Sequence, residues 1–173
     1  MIFIRHPKTE APDGLCYGRL DIGLGPEAPA QIARALETVP KGPVVTSPAL
    51  RCQALAEPLA GRNDDAVLNE DPRLWEMNFG AWEGMMWADI PRDQSDPWAK
   101  DAMNLAPPDG ESFSEVLARV GAAIADAPEN AIIVAHAGVI RAVQMTLLGW
   151  SFEQVFAAKV PYAEPIRMVR QAA

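Results

Sequence analysis

Apolar residues along this chain fall into two rhythms. Three short runs, Met1-Ile2-Phe3-Ile4, Val44-Val45-Thr46 and Ala131-Ile132-Ile133-Val134-Ala135, are rich in β-branched or aromatic residues and lack strict alternation with polar ones. That pattern predicts strands buried on both faces, as in a parallel sheet covered by helices. Elsewhere the apolar positions recur every three or four residues. Ala28, Ile32, Ala35, Leu36 and Val39 predict a helix over Pro26 to Val39, with its prolines confined to the first turn where they are tolerated. Phe113, Val116, Leu117, Val120 and Ile124 predict an amphipathic helix that stops at Pro128, and His136-Ala137-Gly138 opens another through Leu148. Ser47-Pro48 has the form of an N-cap followed by proline at the first helical position, with Pro58 expected to kink or end the helix it starts. A short strand near Ala66-Val67-Leu68, a short helix from Ser151 to Ala158 and an edge strand led by Pro165 and running to Val169 complete the prediction. Strands alternating with helices make this an α/β fold.

One stretch breaks the rhythm. From Asp71 to Pro108 the chain holds five prolines and four of its five tryptophans, and no period can be assigned to it. It is too long for a plain connection, so a lid or substrate loop inserted around residues 77–110 is expected. At 173 residues the remainder fits one domain, residues 1–173, able to hide about 70% of its unfolded surface.

Charge and composition narrow the function classes. A net charge of −8 argues against a nucleic-acid footprint and against a basic membrane-binding patch, since both need excess Lys and Arg on one face. No stretch approaches the roughly 20 apolar residues a membrane span requires, and the first apolar run is too short for a signal peptide. A cytoplasmic protein acting on a small molecule is the expectation. Cys16 and Cys52 form no Cys-x-x-Cys, and with two histidines in the chain a protein-built metal cage would be short of ligands, so no metal and no cofactor are expected.

Those two histidines occupy matching places. His6 follows the first predicted strand, preceded by Arg5, and His136 follows the strand ending at Ala135; the segment Val44-Val45-Thr46 leads into Ser47-Pro48-Ala49-Leu50-Arg51. In open α/β sheets ligands bind at the carboxyl edge of the strands, so two imidazoles and two guanidiniums brought to that edge suggest an anion site. Other phosphate chemistries lack their motifs. The chain has no Gly-x-x-x-x-Gly-Lys-Ser/Thr, no Cys followed six residues later by Arg, no Asp-x-Asp and no Gly-x-Ser-x-Gly. Histidine is the remaining candidate nucleophile.

Arg5-His6, Ser47-Pro-x-x-Arg51, Leu74-x-Glu76-x-x-x-Gly80-x-Trp82-Glu83-Gly84, Gly110-Glu111-Ser112 and His136-x-Gly138-x-Ile140-Arg141 together resemble the histidine phosphatase superfamily, which includes the cofactor-dependent phosphoglycerate mutases. The segment Pro12-x-Gly14-x-Cys16-Tyr17-Gly18-x-x-Asp21-x-x-Leu24 is further similar to the alpha-ribazole phosphatase group. The resemblance implies a three-layer α/β/α, phosphoglycerate mutase-like fold with a mostly parallel central sheet. It also implies a metal-independent phosphomonoester hydrolase. His6 would take the phosphoryl group as a covalent intermediate. Arg5, Arg51 and His136 would bind the phosphoryl oxygens, and Glu76 would protonate the leaving group. Glu83 is the alternative acid, with a brace or a pocket wall as its other reading, and Tyr17, Gly18, Trp82 and Ala137 complete a candidate substrate pocket. Pro7 stands where the family usually has Gly or Thr, which removes a backbone N–H. Ala137 stands where a Gly commonly follows the second histidine. Alpha-ribazole 5′-phosphate is the leading substrate within this reading. A phosphoglycerate mutase and a non-hydrolytic phospho-ligand binding protein on the same fold are the alternatives.

Overall fold

The computed structural model describes residues 1–62 and 68–169. Five strands form one sheet: β1 (Ile2–Arg5), β2 (Val44–Thr46), β3 (Leu68–Glu70), β4 (Ile132–Ala135) and β5 (Pro165–Arg167), in the order β3-β2-β4-β1-β5. All neighbours run parallel except β5, which is antiparallel to β1. The helices are α1 (Ala28–Thr38), α2 (Leu50–Ala60), α3 (Arg92–Lys100), α4 (Phe113–Asp126), α5 (Ala137–Leu148) and α6 (Phe152–Ala157).

The unbroken apolar runs are explained by what covers them. In β1, Ile2 and Ile4 point into a core built with Leu55 and Leu59 of α2 and Ala35 of α1. Phe3 between them points the other way, into a core with Val116 and Val120 of α4 and Ile140 of α5. β4 alternates in the same sense, with Ile132 and Val134 on the first side and Ile133 on the second. β1 from Ile2 to Ile4 and all of β4 are therefore apolar at successive positions because both faces are roofed, and each fully buried Ile or Phe contributes roughly 1.5–3 kcal/mol. The fold is mixed α/β with a central, mostly parallel sheet between two helical layers.

Helix limits differ from the sequence prediction where side chains have other employment. α1 starts at Ala28, two residues after Pro26. α2 starts at Leu50 with Ala49 as its N-cap and no side-chain cap, not at Ser47-Pro48. The Ser47 hydroxyl is engaged by the Ala49 N–H at 3.3 Å and by the His136 ring at 2.8 Å, so it holds a turn and a histidine instead of a helix. Pro58 does not end α2, which continues to Ala60. The proline removes one i→i−4 bond, to the Ala54 carbonyl, two residues before the helix ends. α4 is capped by Ser112 and Glu115, which form a reciprocal capping box that the apolar spacing did not reveal. The strand expected near Ala66-Val67-Leu68 is observed from Leu68; Ala66 and Val67 lie outside the described residues.

Between β3 and α4 the chain makes three one-turn 3₁₀ segments, Pro72–Leu74, Gly80–Trp82 and Trp87–Asp89, and then α3. No helix was readable here because α3 carries Pro97 inside it and no residue of α3 is buried, so its apolar stripe is reduced to Trp98. The segment is held from outside. Cys16 N–H donates to Met85 O at 2.8 Å, and Gly84 and Trp87 N–H donate to Cys16 O and Gly14 O, each at 2.8 Å, so the loop after His6 is laced to it. At Gly80, with φ near 54°, an added Cβ would lie 2.0 Å from Pro108 O, so the two ends of the segment cross only because that position is glycine.

Candidate active site

Strand register brings the two histidines together. Arg5 of β1 pairs with Ala135 of β4, and the next residue on each strand is a histidine. The His6 N–H continues the ladder to Ala135 O at 2.9 Å, and the Ser47 N–H does so from β2 to Val134 O at 3.0 Å. Adjacent strands lie about 4.8 Å apart. The imidazoles follow that spacing, with ring centroids 5.3 Å apart and edge to face.

Their partners fix both tautomers. His6 Nδ1 is 2.7 Å from Pro7 O, a group that only accepts, so Nδ1 carries the proton and Nε2 keeps its lone pair. Arg51, permanently protonated, donates from one terminal nitrogen to His136 Nδ1 at 3.3 Å. His136 must then carry its proton on Nε2, from which it donates to Ser47 Oγ at 2.8 Å. Burial, joined by the positive charge of Arg51, lowers the His6 pKa from 6.5 to about 3. Burial, with His6 and Arg51 nearby, holds His136 well below its ordinary value. Both rings are neutral at pH 7, and His6 Nε2 is an unprotonated nitrogen with no hydrogen-bond partner among the described residues.

The guanidiniums are fixed by the protein on their terminal nitrogens. Arg5 donates to Val160 O at 3.1 Å and to the Tyr162 hydroxyl at 2.9 Å, and its guanidinium lies 3.7 Å over the Tyr162 ring. Arg51, 1% exposed, donates to Leu20 O at 2.8 Å and to Gly18 O, with Asp21 at 3.9 Å and the Tyr17 ring 5.4 Å away. The forks expected to face a phosphoryl group are thus occupied by protein acceptors in this structure. The Nε of each arginine is buried and without a partner among the described residues. Buried donors in that condition point to an acceptor supplied from outside the chain.

The two candidate acids differ sharply. Glu76 accepts from the Met77 N–H at 3.0 Å and, through its other oxygen, from the Gly138 N–H at 3.1 Å, which ties it to the first turn of the helix that begins after His136. Glu76 also lines a cavity of about 100 Å³. Glu83 accepts from the N–H groups of Arg19 at 2.9 Å, Leu20 at 2.7 Å and Phe79 at 3.1 Å. It braces the loop that carries Gly18, whose Cβ, if present, would lie 1.8 Å from Met77 O.

The other pocket candidates separate in the same way. Tyr17 reaches Thr9 Oγ1 at 3.0 Å and faces Arg51. Ala137 opens α5, so its Cβ sits on helical backbone and is 8% exposed. Trp82 is a correction: it is 2% exposed, packs with Cys16 and Ile90 and donates its indole N–H to Gln94 at 3.1 Å. The 3₁₀ turn turns it inward, leaving Phe79 and Trp98 to line the cavity. Burial pushes the Cys16 thiol up to about 12 and raises that of Cys52 further, which suits packing roles.

Sequence reading missed three partners. Tyr162 contacts Arg5 and lies 5.7 Å from the His6 ring, Ser47 holds His136, and Arg119 donates to the carbonyls of Arg73 at 2.6 Å, Trp75 at 2.7 Å and Glu76 at 3.3 Å. Arg119 is itself paired with Glu111 at 2.7 Å, inside the Gly110-Glu111-Ser112 motif, which was the available signal. Among the described residues no group of three or more His, Cys, Asp and Glu is placed to hold a metal ion, and no helix is long and apolar enough to cross a membrane. A larger cavity of about 360 Å³ lies elsewhere, lined by Met1, Leu147 and Met168, away from this chemistry.

The model of the histidine phosphatase superfamily (branch 1) matches residues 1–171. The chain belongs to the histidine phosphatase superfamily. It is 31% identical over 168 residues to a glucosyl-3-phosphoglycerate phosphatase of Mycobacterium tuberculosis, covering 86% of this chain and 74% of that protein. A bifunctional protein of the same species is 34% identical over 131 residues, 69% of this chain, but the match spans about a third (35%) of that longer protein. Among solved structures, the alpha-ribazole phosphatase of Shigella flexneri superposes with a TM-score of 0.80 at 27% identity, covering 94% of this chain and 86% of that one.

Proposed function

We propose that this histidine phosphatase superfamily member hydrolyses small phosphomonoesters without a metal, through a phosphohistidine at His6. One observation carries the reading. His6 presents an unprotonated Nε2 beside a second neutral histidine, where two arginines each keep a buried, unpartnered Nε–H. Attack by Nε2 on phosphorus forms the N–P bond as the ester P–O bond breaks, and the leaving alkoxide takes a proton from the acid form of Glu76. The resulting Glu76 carboxylate takes a proton from water as that water attacks the phosphohistidine, breaks the N–P bond and releases phosphate, which returns Glu76 to its acid form and His6 Nε2 to its lone pair. Arg5, Arg51 and His136 serve the phosphoryl oxygens, each charge-assisted bond contributing roughly 1.5–3 kcal/mol. To do so Arg51 exchanges the carbonyls of Gly18 and Leu20 for phosphoryl oxygens, and His136 turns its Nε2–H from Ser47 Oγ to the phosphoryl group. The segment around residues 77–110, laced to the loop after His6, acts as the lid.

The reaction class is the conclusion. Alpha-ribazole 5′-phosphate, favoured by the Pro12 to Leu24 segment and by the likeness to the Shigella flexneri enzyme, is its finer form and enters the test as one arm. The experiment measures phosphate release from p-nitrophenyl phosphate, alpha-ribazole 5′-phosphate, sugar phosphates and 3-phosphoglycerate, with and without EDTA, together with an acid quench. Turnover unaffected by EDTA and an acid-labile, base-stable adduct on His6 are expected. Binding without release, an adduct elsewhere, or phosphoryl transfer between phosphoglycerates in place of hydrolysis would overturn it.

A further inference from the structure

The cavity of about 100 Å³ beside Glu76 has an unusual lining for its size. Phe79, Trp98, Phe113, Phe152 and Phe156 are aromatic, and the charged groups among its walls are Glu76 and Arg141. The cavity is far smaller than the roughly 300–1,000 Å³ that encloses a whole drug-sized ligand, so it accepts one compact group, a single ring or a short branched chain. The acid that would protonate the leaving group stands in its wall, so what enters is part of the leaving alcohol.

Arg141 is held in place but not neutralised. Its Nε–H donates to Val155 O at 3.2 Å, and its guanidinium lies 4.8 Å over the Phe156 ring, which fixes the plane of the fork. Among the described residues no carboxylate lies within ion-pair distance of it, in contrast to Arg73, Arg119 and even the exposed Arg92. Burial lowers its pKa from the ordinary value, with the field of Glu76 acting in the opposite sense, so it stays a cation that has lost part of its hydration. An arginine so fixed, with both terminal nitrogens outside any hydrogen bond or ion pair among the described residues, is built to receive a planar anion bidentately.

We infer that Arg141 and the aromatic cavity beside Glu76 form a leaving-group subsite for a carboxylate borne on a compact apolar or aromatic alcohol. The inference rests on the hydrolase reading for its link to turnover but not for its binding chemistry. Alpha-ribazole 5′-phosphate carries no carboxylate, so the subsite places acid-bearing monoesters ahead of it.

The test uses a pair of esters matched in shape and differing in charge, 3-carboxyphenyl phosphate and 3-carbamoylphenyl phosphate. Binding of the corresponding alcohols, 3-hydroxybenzoate and 3-hydroxybenzamide, is followed separately by tryptophan fluorescence, since Trp98 lines the cavity. The wild-type protein should favour the carboxylate in both readouts by about tenfold, expressed in KM more than in kcat. Arg141→Gln should bring the ratio close to one, and Arg141→Lys should leave an intermediate preference because a point charge replaces the fork. A wild-type ratio near one, or a ratio unchanged in either variant, overturns the inference. Selective binding of the benzoate with no turnover of either ester would support the subsite and sink the hydrolase; turnover of both esters without preference would do the reverse.

Discussion

The phosphate end and the leaving-group end of this site are built by different means. At the phosphate end, Arg5-His6, Ser47 and His136 are the residues at which β1, β2 and β4 leave the sheet, and ladder hydrogen bonds of 2.9 and 3.0 Å set their spacing. At the leaving-group end, Glu76 and Phe79 come from the connection between β3 and α3, and Trp98, Arg141 and Phe156 from α3, α5 and α6, so no strand pairing sets their spacing. The first arrangement is rigid because moving a histidine means breaking a strand pair. The second can vary without cost to the sheet, as expected where one reaction is fitted to different substrates.

If that division is right, changes at the phosphate end should cut every substrate alike and changes at the other end should depend on the alcohol. The largest effect is expected for His6→Ala, at least about a thousandfold in kcat on all esters, with loss of the phosphoprotein after acid quench. Retention of activity on any one ester would break the comparison. Next is Glu76→Gln, which should slow alkyl esters by about a hundredfold or more and p-nitrophenyl phosphate far less, because nitrophenolate leaves without a proton. Equal losses would move the acid elsewhere.

Gly138→Ala should sharpen the same contrast. A Cβ there would stand 2.3 Å from Glu76 Oε1, forcing the carboxylate aside while the histidines keep their strand-set positions. Roughly a tenfold loss on alkyl esters is expected, with p-nitrophenyl phosphate little changed.

The smallest effect is on stability, and it belongs to the phosphate end. His6 has its folded pKa lowered to about 3 from 6.5, so as the pH falls the unfolded chain binds the proton first. Stability is therefore full above about pH 6.5 and is lost progressively toward pH 3, by on the order of 2 kcal/mol at pH 5 from this one group. His136 acts in the same direction. Urea midpoints at pH 7 and pH 5 should diverge less in His6→Asn than in the wild type; an unchanged divergence would show that the ring is not titrating as its burial requires.

Much of this was written in local pattern. The unbroken apolar runs marked strands roofed on both sides, and polar residues placed right after them marked the sheet edge where both histidines are found. The signal works because strand burial and strand direction are decided by residues adjacent in the chain. Ser47 shows where local reading stops: its sequence says N-cap, but a histidine 89 residues away takes the hydroxyl, and α2 starts at Leu50. Trp82 shows it again, since aromatic character alone could not say whether the ring faced a substrate or Cys16 and Ile90.

By itself the sequence determined the sheet, the nucleophile's place in it and the absence of several competing phosphate motifs, all of which depend on near neighbours and on residue type. Only the tertiary structure decided which glutamate lines the cavity, how Pro7, Ser47 and Arg51 assign one proton to each imidazole, and that Arg141 meets an aromatic cavity with no carboxylate among the described residues in ion-pair reach. Those outcomes depend on contacts between residues tens of positions apart, whose geometry exists only once the chain has closed around the sheet.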